Sequence, residues 1–497
     1  VPARSTTFRR VALAAALAAL AVAFVPLRPK PTPGPVFRDF ESYYAAGVTW
    51  RYHGDPYGRD VWRTERTIPE VDAGRDELLP FVGPPFGLPL WNAFGNLAWP
   101  VATAIWGTIL GISLGAIAFG SLRLARVPSD ALDALAVLVV AAGFGPLTSG
   151  VALGQAAVVS CAAIVVVPFL LGPRRIFAAS VALLAAALQP NLALALLARL
   201  GGTRMWIAAL FAATIALGGS LIALDGPAGC AHYLEILRAH GAAERFLAIQ
   251  TTPAAVARAL GASVTLAGTV AILLALVAVA GVAWQCASGR YAADDRLALA
   301  CAALPLVLPF AHEHDFTIVF FPALVAVRRA RGAVWVVAAC ALLAVGTDWL
   351  GLAQRATGAY ETAALTLAAA FGLAVLARDR LRPYHLLPAL AAPAVVAVAA
   401  LVAGHPLPTW PDALGAGFHE RFDVPAAIVW HDEQIQSGIG ALVPLWGALR
   451  LVSLAGCALV WIVASVVLRA PRYGAGDSAA LGSFFQTASA AGGSLSM

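Results

Sequence analysis

The chain has 497 residues, 60% of them hydrophobic and only 12% charged, with a net charge of +6. A soluble globular protein carries about 25% charged residues, so one water-soluble core is excluded. The basic residues are almost all arginine and stand at the ends of apolar blocks, which excludes a polyanion-binding surface and marks membrane topology instead.

The apolar surplus falls into blocks of about 17–25 residues, the length that crosses a bilayer as helix. No strand-like alternation is present, so a closed barrel is excluded. The expected fold is all-α: a polytopic bundle of about 12–14 transmembrane helices. Arg4, Arg9 and Arg10 precede a run over 11–27, read as an uncleaved first helix starting in the cytoplasm. A large polar segment, 28–97, follows on the outside. The remaining spans are expected at 98–121, 129–148, 151–171, 176–188, 190–200, 206–224, 264–284, 296–311, 315–327, 333–352, 361–377, 384–404 and 441–468. Charge forces two of the breaks. Arg174/Arg175 and Arg199/Arg204 both belong inside, so the chain turns back at Gln189-Pro190-Asn191. Arg328, Arg329 and Arg331 likewise split 296–327 at His312–Asp315. Residues 225–262 and 405–440 form further outer segments. The membrane domain spans 1–472, and the Gly/Ala/Ser-rich tail 473–497 is expected to be disordered.

The first outer segment carries the clearest chemistry. Asp39 is placed as the N-cap of a helix in which Phe40, Tyr43, Tyr44, Gly47 and Val48 recur at helical spacing. That pattern suits a helix lying flat on the membrane surface. A carboxylate at a helix start is favoured as the anion and can accept a proton; the plainer reading is a cap alone. Gln155, early in an apolar span, needs a partner or a cavity, and Gln189 adds a second amide at an outer turn. His312, Glu313, His314 and Asp315 stand between two apolar blocks, where ionisable groups are functional by default. His at i and i+2 do not share a helical face, so phosphate or hydroxyl contact ranks above metal. The 405–440 loop adds His419, His431, Trp410 and Trp430, and Arg450 in the last apolar block meets a phosphate or snorkels. Six cysteines (Cys161, Cys230, Cys286, Cys301, Cys340 and Cys457) show neither zinc nor disulfide spacing.

In order and spacing, these pieces resemble the bacterial polyprenyl-phosphate-sugar-dependent glycosyltransferases of the GT-C fold. The nearest branch holds the mannosyltransferases that extend phosphatidylinositol mannosides and lipoglycans. The matching pieces are Asp39 with Tyr43 and Tyr44, Gly54-Asp55-Pro56-Tyr57, Val82-Gly83-Pro84-Pro85, Gly154-Gln155, Ile249-Gln250-Thr251, and Pro309 through Asp315. Three departures stand out. Gln189-Pro190 replaces a Lys-Pro, His312 replaces a Trp, and Asp315 replaces the second His of a pair whose first is His314. The resemblance implies an inverting transfer on the outer face of the plasma membrane. A sugar, mannose in the first instance, passes from a polyprenyl phosphate to a lipid or glycan acceptor, with Asp39 as base. Tyr43, Tyr44, Gln155, Gln189, Gln250, His312, His314 and Arg450 are the expected substrate contacts. No metal or other cofactor is expected, and membrane lipids are natural neighbours. One carboxylate suffices for this chemistry, because a polyprenyl phosphate leaves as a stable anion. A retaining route needs a second, and none presents itself as clearly. The rival readings are a transporter or flippase of lipid-linked sugars and a non-catalytic scaffold. A transporter favours repeats or broken helices at matching positions in two halves, and neither is seen. Asp39, Gln155, Gln250 and His314 are expected to line one outward cavity.

Overall fold

The computed structural model describes residues 3–24, 37–68, 79–172, 174–247, 249–349, 358–377 and 444–469. The expected span 384–404, the loop 405–440 and the tail 473–497 lie outside the described residues.

All regular structure among the described residues is helical. The helices are α1 (Ala3–Phe24), α2 (Arg38–Arg51), α3 (Asp60–Glu65), α4 (Leu88–Gly95), α5 (Trp99–Leu124), α6 (Ala131–Ala142), α7 (Gly145–Leu153), α8 (Ala156–Leu170), α9 (Ile176–Ala186) and α10 (Pro190–Ala193). They continue as α11 (Thr203–Ala223), α12 (Pro227–Glu244), α13 (Pro253–Ala259), α14 (Val264–Ala287), α15 (Ala293–Ala303), α16 (Thr317–Arg329), α17 (Gly332–Val345), α18 (Gly358–Leu376) and α19 (Pro444–Val467). Six of these are long and apolar enough to cross a membrane: α1, α5, α11, α14, α18 and α19. The polytopic all-α bundle is therefore present, with fewer full-length crossings among the described residues than the apolar blocks imply.

The difference has local causes. The expected span 129–148 ends at Ala142, and α6 and α7 meet at a 67° bend. Gly143 and Gly145 flank that bend and Pro146 follows it, so the helical ladder is interrupted where backbone must pass closely. A Cβ on Gly145 would fall 2.4 Å from the Asp348 nitrogen. The expected span 151–171 starts later, at Ala156. The break at 189–191 occurs as charge demanded, but its second arm is α10 and a 3-10 segment, Leu194–Arg199, too short to cross alone. The turn at 312–315 also occurs, as a 3-10 segment, Glu313–Phe316. Residues 225–262, expected as an outer loop, contain α12 and α13.

Five arginines, Arg9, Arg126, Arg199, Arg328 and Arg329, form ion pairs at one end of the bundle. Arg9 bridges Asp130 and Asp133 at 2.7 and 2.8 Å, and Asp133 also meets Arg328 at 3.0 Å. Asp294 pairs with Arg126 and Arg199, and Asp295 with Arg329. These ion pairs join α1, α6, α15 and α16 at the end that the positive-inside pattern assigns to the cytoplasm. Helices α5 and α16 run from there to Trp99 and Thr317, next to the cavity described below.

Helix α2 is not a surface helix in the expected sense. Phe40, Glu41, Ser42, Ala45, Ala46, Gly47 and Thr49 are all buried, so protein covers it on several sides. Asp39 is not its N-cap either: the cap is Phe37, in left-handed conformation at φ 62, and Asp39 lies in the first turn. The covering comes from aromatic packing. Phe40 stacks on Trp106 and Trp99 at 5.3 and 5.7 Å and meets Phe94 edge-on. On the other side Gly47 touches the α4 backbone, where an added Cβ would fall 2.2 Å from the Trp91 carbonyl. Gly47→Ala must therefore push α2 from α4. It is expected to cost about 1–3 kcal/mol, seen as a lower midpoint of thermal unfolding in detergent; an unchanged midpoint would show that the two helices separate freely.

Candidate active site

A cavity of about 470 Å³ lies where α2, the start of α8, the 188–191 break, α12 and the 309–314 turn converge. Asp39, Tyr43, Gln155, Gln189, His312 and His314 all line it. Residues separated by as many as 275 positions thus line one cavity.

The Gly154-Gln155 pair explains how one side is built. Gly154 ends α7 at φ 79, a conformation open to glycine, and a Cβ there would fall 2.6 Å from that of Phe37. The Trp106 indole N–H donates to the Gly154 carbonyl at 2.8 Å. Gln155 is thereby turned toward α2. Its Nε2 donates to Asp39 Oδ2 in a short contact, and the Tyr43 hydroxyl donates to its Oε1 at 2.9 Å. The amide orientation follows from this chain: the carboxylate only accepts, so the NH₂ faces Asp39 and the amide oxygen is left to accept from the Tyr43 hydroxyl. Tyr43 stacks on Trp91 at 4.8 Å. Burial, and then the Asp39 charge, push its hydroxyl above the usual range, so it remains a donor.

The opposite wall is the 312–315 turn. Asp315 accepts from the His312 backbone at 3.0 Å and from Gln189 Nε2 at 3.3 Å. Burial pushes its carboxyl up to about 6. The His312 and His314 rings lie parallel, 5.4 Å apart. Their charge preferences diverge. Burial holds His314 well below the ordinary histidine range, hence neutral. Burial lowers His312 too, but the bond and charge of Glu244, with the charges of Asp315 and Asp39, outweigh it together, so its net shift is upward.

Glu244 closes α12 and is 1% exposed. Its Oε2 lies 3.3 Å from His312 Nε2 and accepts from Gln250 Nε2 at 2.8 Å, while Oε1 lies 3.5 Å from His240 Nε2. Gln250 Oε1 accepts from the Ala311 backbone at 3.0 Å, and Arg450 Nη1 donates to the Gln250 carbonyl in a short contact.

Three expected contacts therefore stand behind the wall. Gln250 braces Glu244 and His312. Arg450, 1% exposed, braces Gln250. Tyr44 donates to the Leu97 carbonyl at 2.8 Å and packs edge-on against Trp99. Of the four residues expected to line one cavity, Asp39, Gln155 and His314 do, and Gln250 does not. The wall also contains Arg38, Asn191, Tyr233, His240, Glu244 and Glu313, to which the sequence attached no individual function. Glu244 and Glu313 qualify the expectation of a single clear carboxylate. Glu244, however, is committed to His312, Gln250 and His240. The His240/Glu244 spacing of four was visible in the sequence; its long-range partners were not.

No curated protein and no solved structure matches the chain. Residues 81–309 match the family model described as Glycosyltransferase family 87. The matched stretch holds Gln155, Gln189, Glu244 and Gln250, beginning after Asp39 and ending before His312. Joined to the membrane-crossing helices, this match supports a membrane glycosyltransferase.

Proposed function

We propose that the chain transfers a sugar, mannose in the first instance, from a polyprenyl-phosphate donor to a lipid or glycan acceptor with inversion. On this reading the reaction runs at the end opposite the arginine cluster, and the positive-inside pattern supports reading that end as the outer face of the plasma membrane. The observation that carries this reading is Asp39: a carboxylate on the cavity wall, held by a Gln155 amide that Tyr43 orients, in the same cavity as a paired histidine turn.

In the proposed step the acceptor hydroxyl oxygen attacks the sugar's anomeric carbon. Its proton passes to Asp39. The bond from that carbon to the phosphate oxygen breaks, and the electron pair leaves with the polyprenyl phosphate. Asp39 acts as the single general base. Charge developing on the phosphate needs preorganised cations, and His312, whose protonated form Glu244 favours, and Arg38 are the candidates on the wall. His314, held neutral, suits a hydroxyl or phosphate oxygen as a hydrogen-bond partner.

The primary test is transfer from radiolabelled polyprenyl-phosphate mannose to a membrane-lipid pool by purified protein in nanodiscs. Wild type is expected to transfer, and Asp39→Asn to lose at least about 100-fold in rate while folding normally. Transfer that survives in the variant removes Asp39 as base. Absence of transfer with mannose, arabinose and other polyprenyl-phosphate sugars favours a carrier of lipid-linked sugars instead.

A second expectation concerns pH. If protonated His312 meets the phosphate, kcat/KM falls as pH rises through its pKa. Glu244→Gln removes the nearest of the carboxylates that raise that pKa, so the alkaline fall is expected to move to lower pH. A pH–rate profile unchanged by Glu244→Gln would exclude His312 as the phosphate cation.

A further inference from the structure

A second cavity, also of about 470 Å³, lies at the far end of α2, and the proposed transfer makes no use of it. Its walls come from the loop after α2, from α4, from the end of α11 and from the first turns of α12. Arg51, His53, Asp55, Asn92, Asp225 and His232 supply its polar side chains. Trp50 also lines it, fixed by an indole N–H donating to the Ala223 carbonyl at 2.7 Å. Asp55 and His232 face each other at 3.7 Å with side chains 46% and 56% exposed. His53 and Asp225 hold left-handed backbone, φ 60 and 54, which non-glycine residues adopt at a cost and which gathers at binding sites.

The lining narrows the ligand class. Two carboxylates against one permanent cation disfavour an anion. The density of polar groups disfavours an acyl chain. Among the described residues no group of three or more His, Cys, Asp or Glu side chains is placed to hold a metal ion. Carboxylates only accept hydrogen bonds, arginine only donates, and asparagine and neutral histidine do both. A neutral ligand rich in hydroxyl groups, each donor and acceptor, uses that whole set.

Position supplies the rest. Helix α2 carries Asp39 near its start and Arg51 at its end, twelve residues or about 18 Å along the axis. Helix α12 is shared as well, with Tyr233 and Leu237 on the first cavity and Gly229 and His232 on the second. Between the cavities stand the rings of Tyr57 and Tyr233, 4.8 Å apart. We infer that the second cavity binds the distal sugars of a neutral oligosaccharide acceptor whose reacting end lies at Asp39. This inference rests on the glycosyltransferase reading and sharpens it: the acceptor is a glycan of several units rather than a lone lipid hydroxyl.

Saturation-transfer difference NMR on the full chain in nanodiscs tests it without turnover. The probes are linear tri- and tetrasaccharides of mannose, arabinose and glucose, with the matching monosaccharides. One oligosaccharide series is expected to bind, at least about tenfold more tightly than its monosaccharide. His232→Ala and Asn92→Ala are expected to weaken it about fivefold or more, with unfolding midpoints unchanged, while Asp39→Asn still binds. Binding by no series, or binding that neither substitution weakens, overturns the inference. Oligosaccharide binding in a protein that transfers no sugar would sink the proposed reaction but not the site, so the two failures are separable.

Discussion

The site depends on the docking of one short helix. Fourteen residues, Arg38–Arg51, are too few to cross a bilayer and too few to persist alone. What holds them is the fit of Phe40 into the Trp99, Trp106 and Phe94 cluster and the backbone approach at Gly47. Asp39 precedes Phe40, so the carboxylate is fixed by the burial of its neighbour. The same aromatic cluster reaches the opposite partner: the Trp106 indole bonds Gly154, which turns Gln155 toward Asp39. One packing event thus sets both ends of the Asp39–Gln155 contact.

The other wall is made in a different currency. A fully buried carboxylate is costly unless its lone pairs are satisfied. Glu244 meets Gln250, His312 and His240, and Gln250 in turn secures Ala311 and accepts from Arg450. Removing one member would strand the others, so the network acts as a unit. It ties α12, the 249–252 segment, the 309–312 turn and α19 into one wall, which apolar contact alone would leave free to slide.

Much of this was legible in the sequence, and the exceptions follow a pattern. The class of fold, the breaks at 189–191 and 312–315, and the cavity positions of Asp39, Gln155 and His314 were readable, because topology charge and isolated polar groups in apolar blocks are local signals. The 129–148 block reads as continuous, because apolar content does not show that Gly143, Gly145 and Pro146 bend it. Helix α2 looked like a surface helix because its pattern is amphipathic, yet its polar side is covered by the rest of the chain. Gln250 and Arg450 are expected as contacts from sequence but stand behind the cavity lining, since sequence marks a buried polar residue without saying which layer it occupies. Glu244 carries no local signal of its place in the site, because its significance lies in partners on other segments.

The three departures from the pattern of the resembling family become connected once the chain is folded. Gln189, where that family has lysine, donates to Asp315, where it has histidine. Lysine beside this aspartate would form a buried ion pair and spend its charge there; glutamine bonds the carboxyl without one, and burial raises that carboxyl to about 6. The wall thereby lacks a cation at position 189. The third departure restores one: His312 replaces tryptophan, and Glu244, a residue on another helix, favours its protonated form. On the proposed reading, positive charge for the phosphate has moved from the 189 position to the 312 position, with its counter-charge, Glu244, almost fully buried in the wall. That arrangement makes phosphate affinity depend on the protonation of a histidine rather than on a permanent lysine.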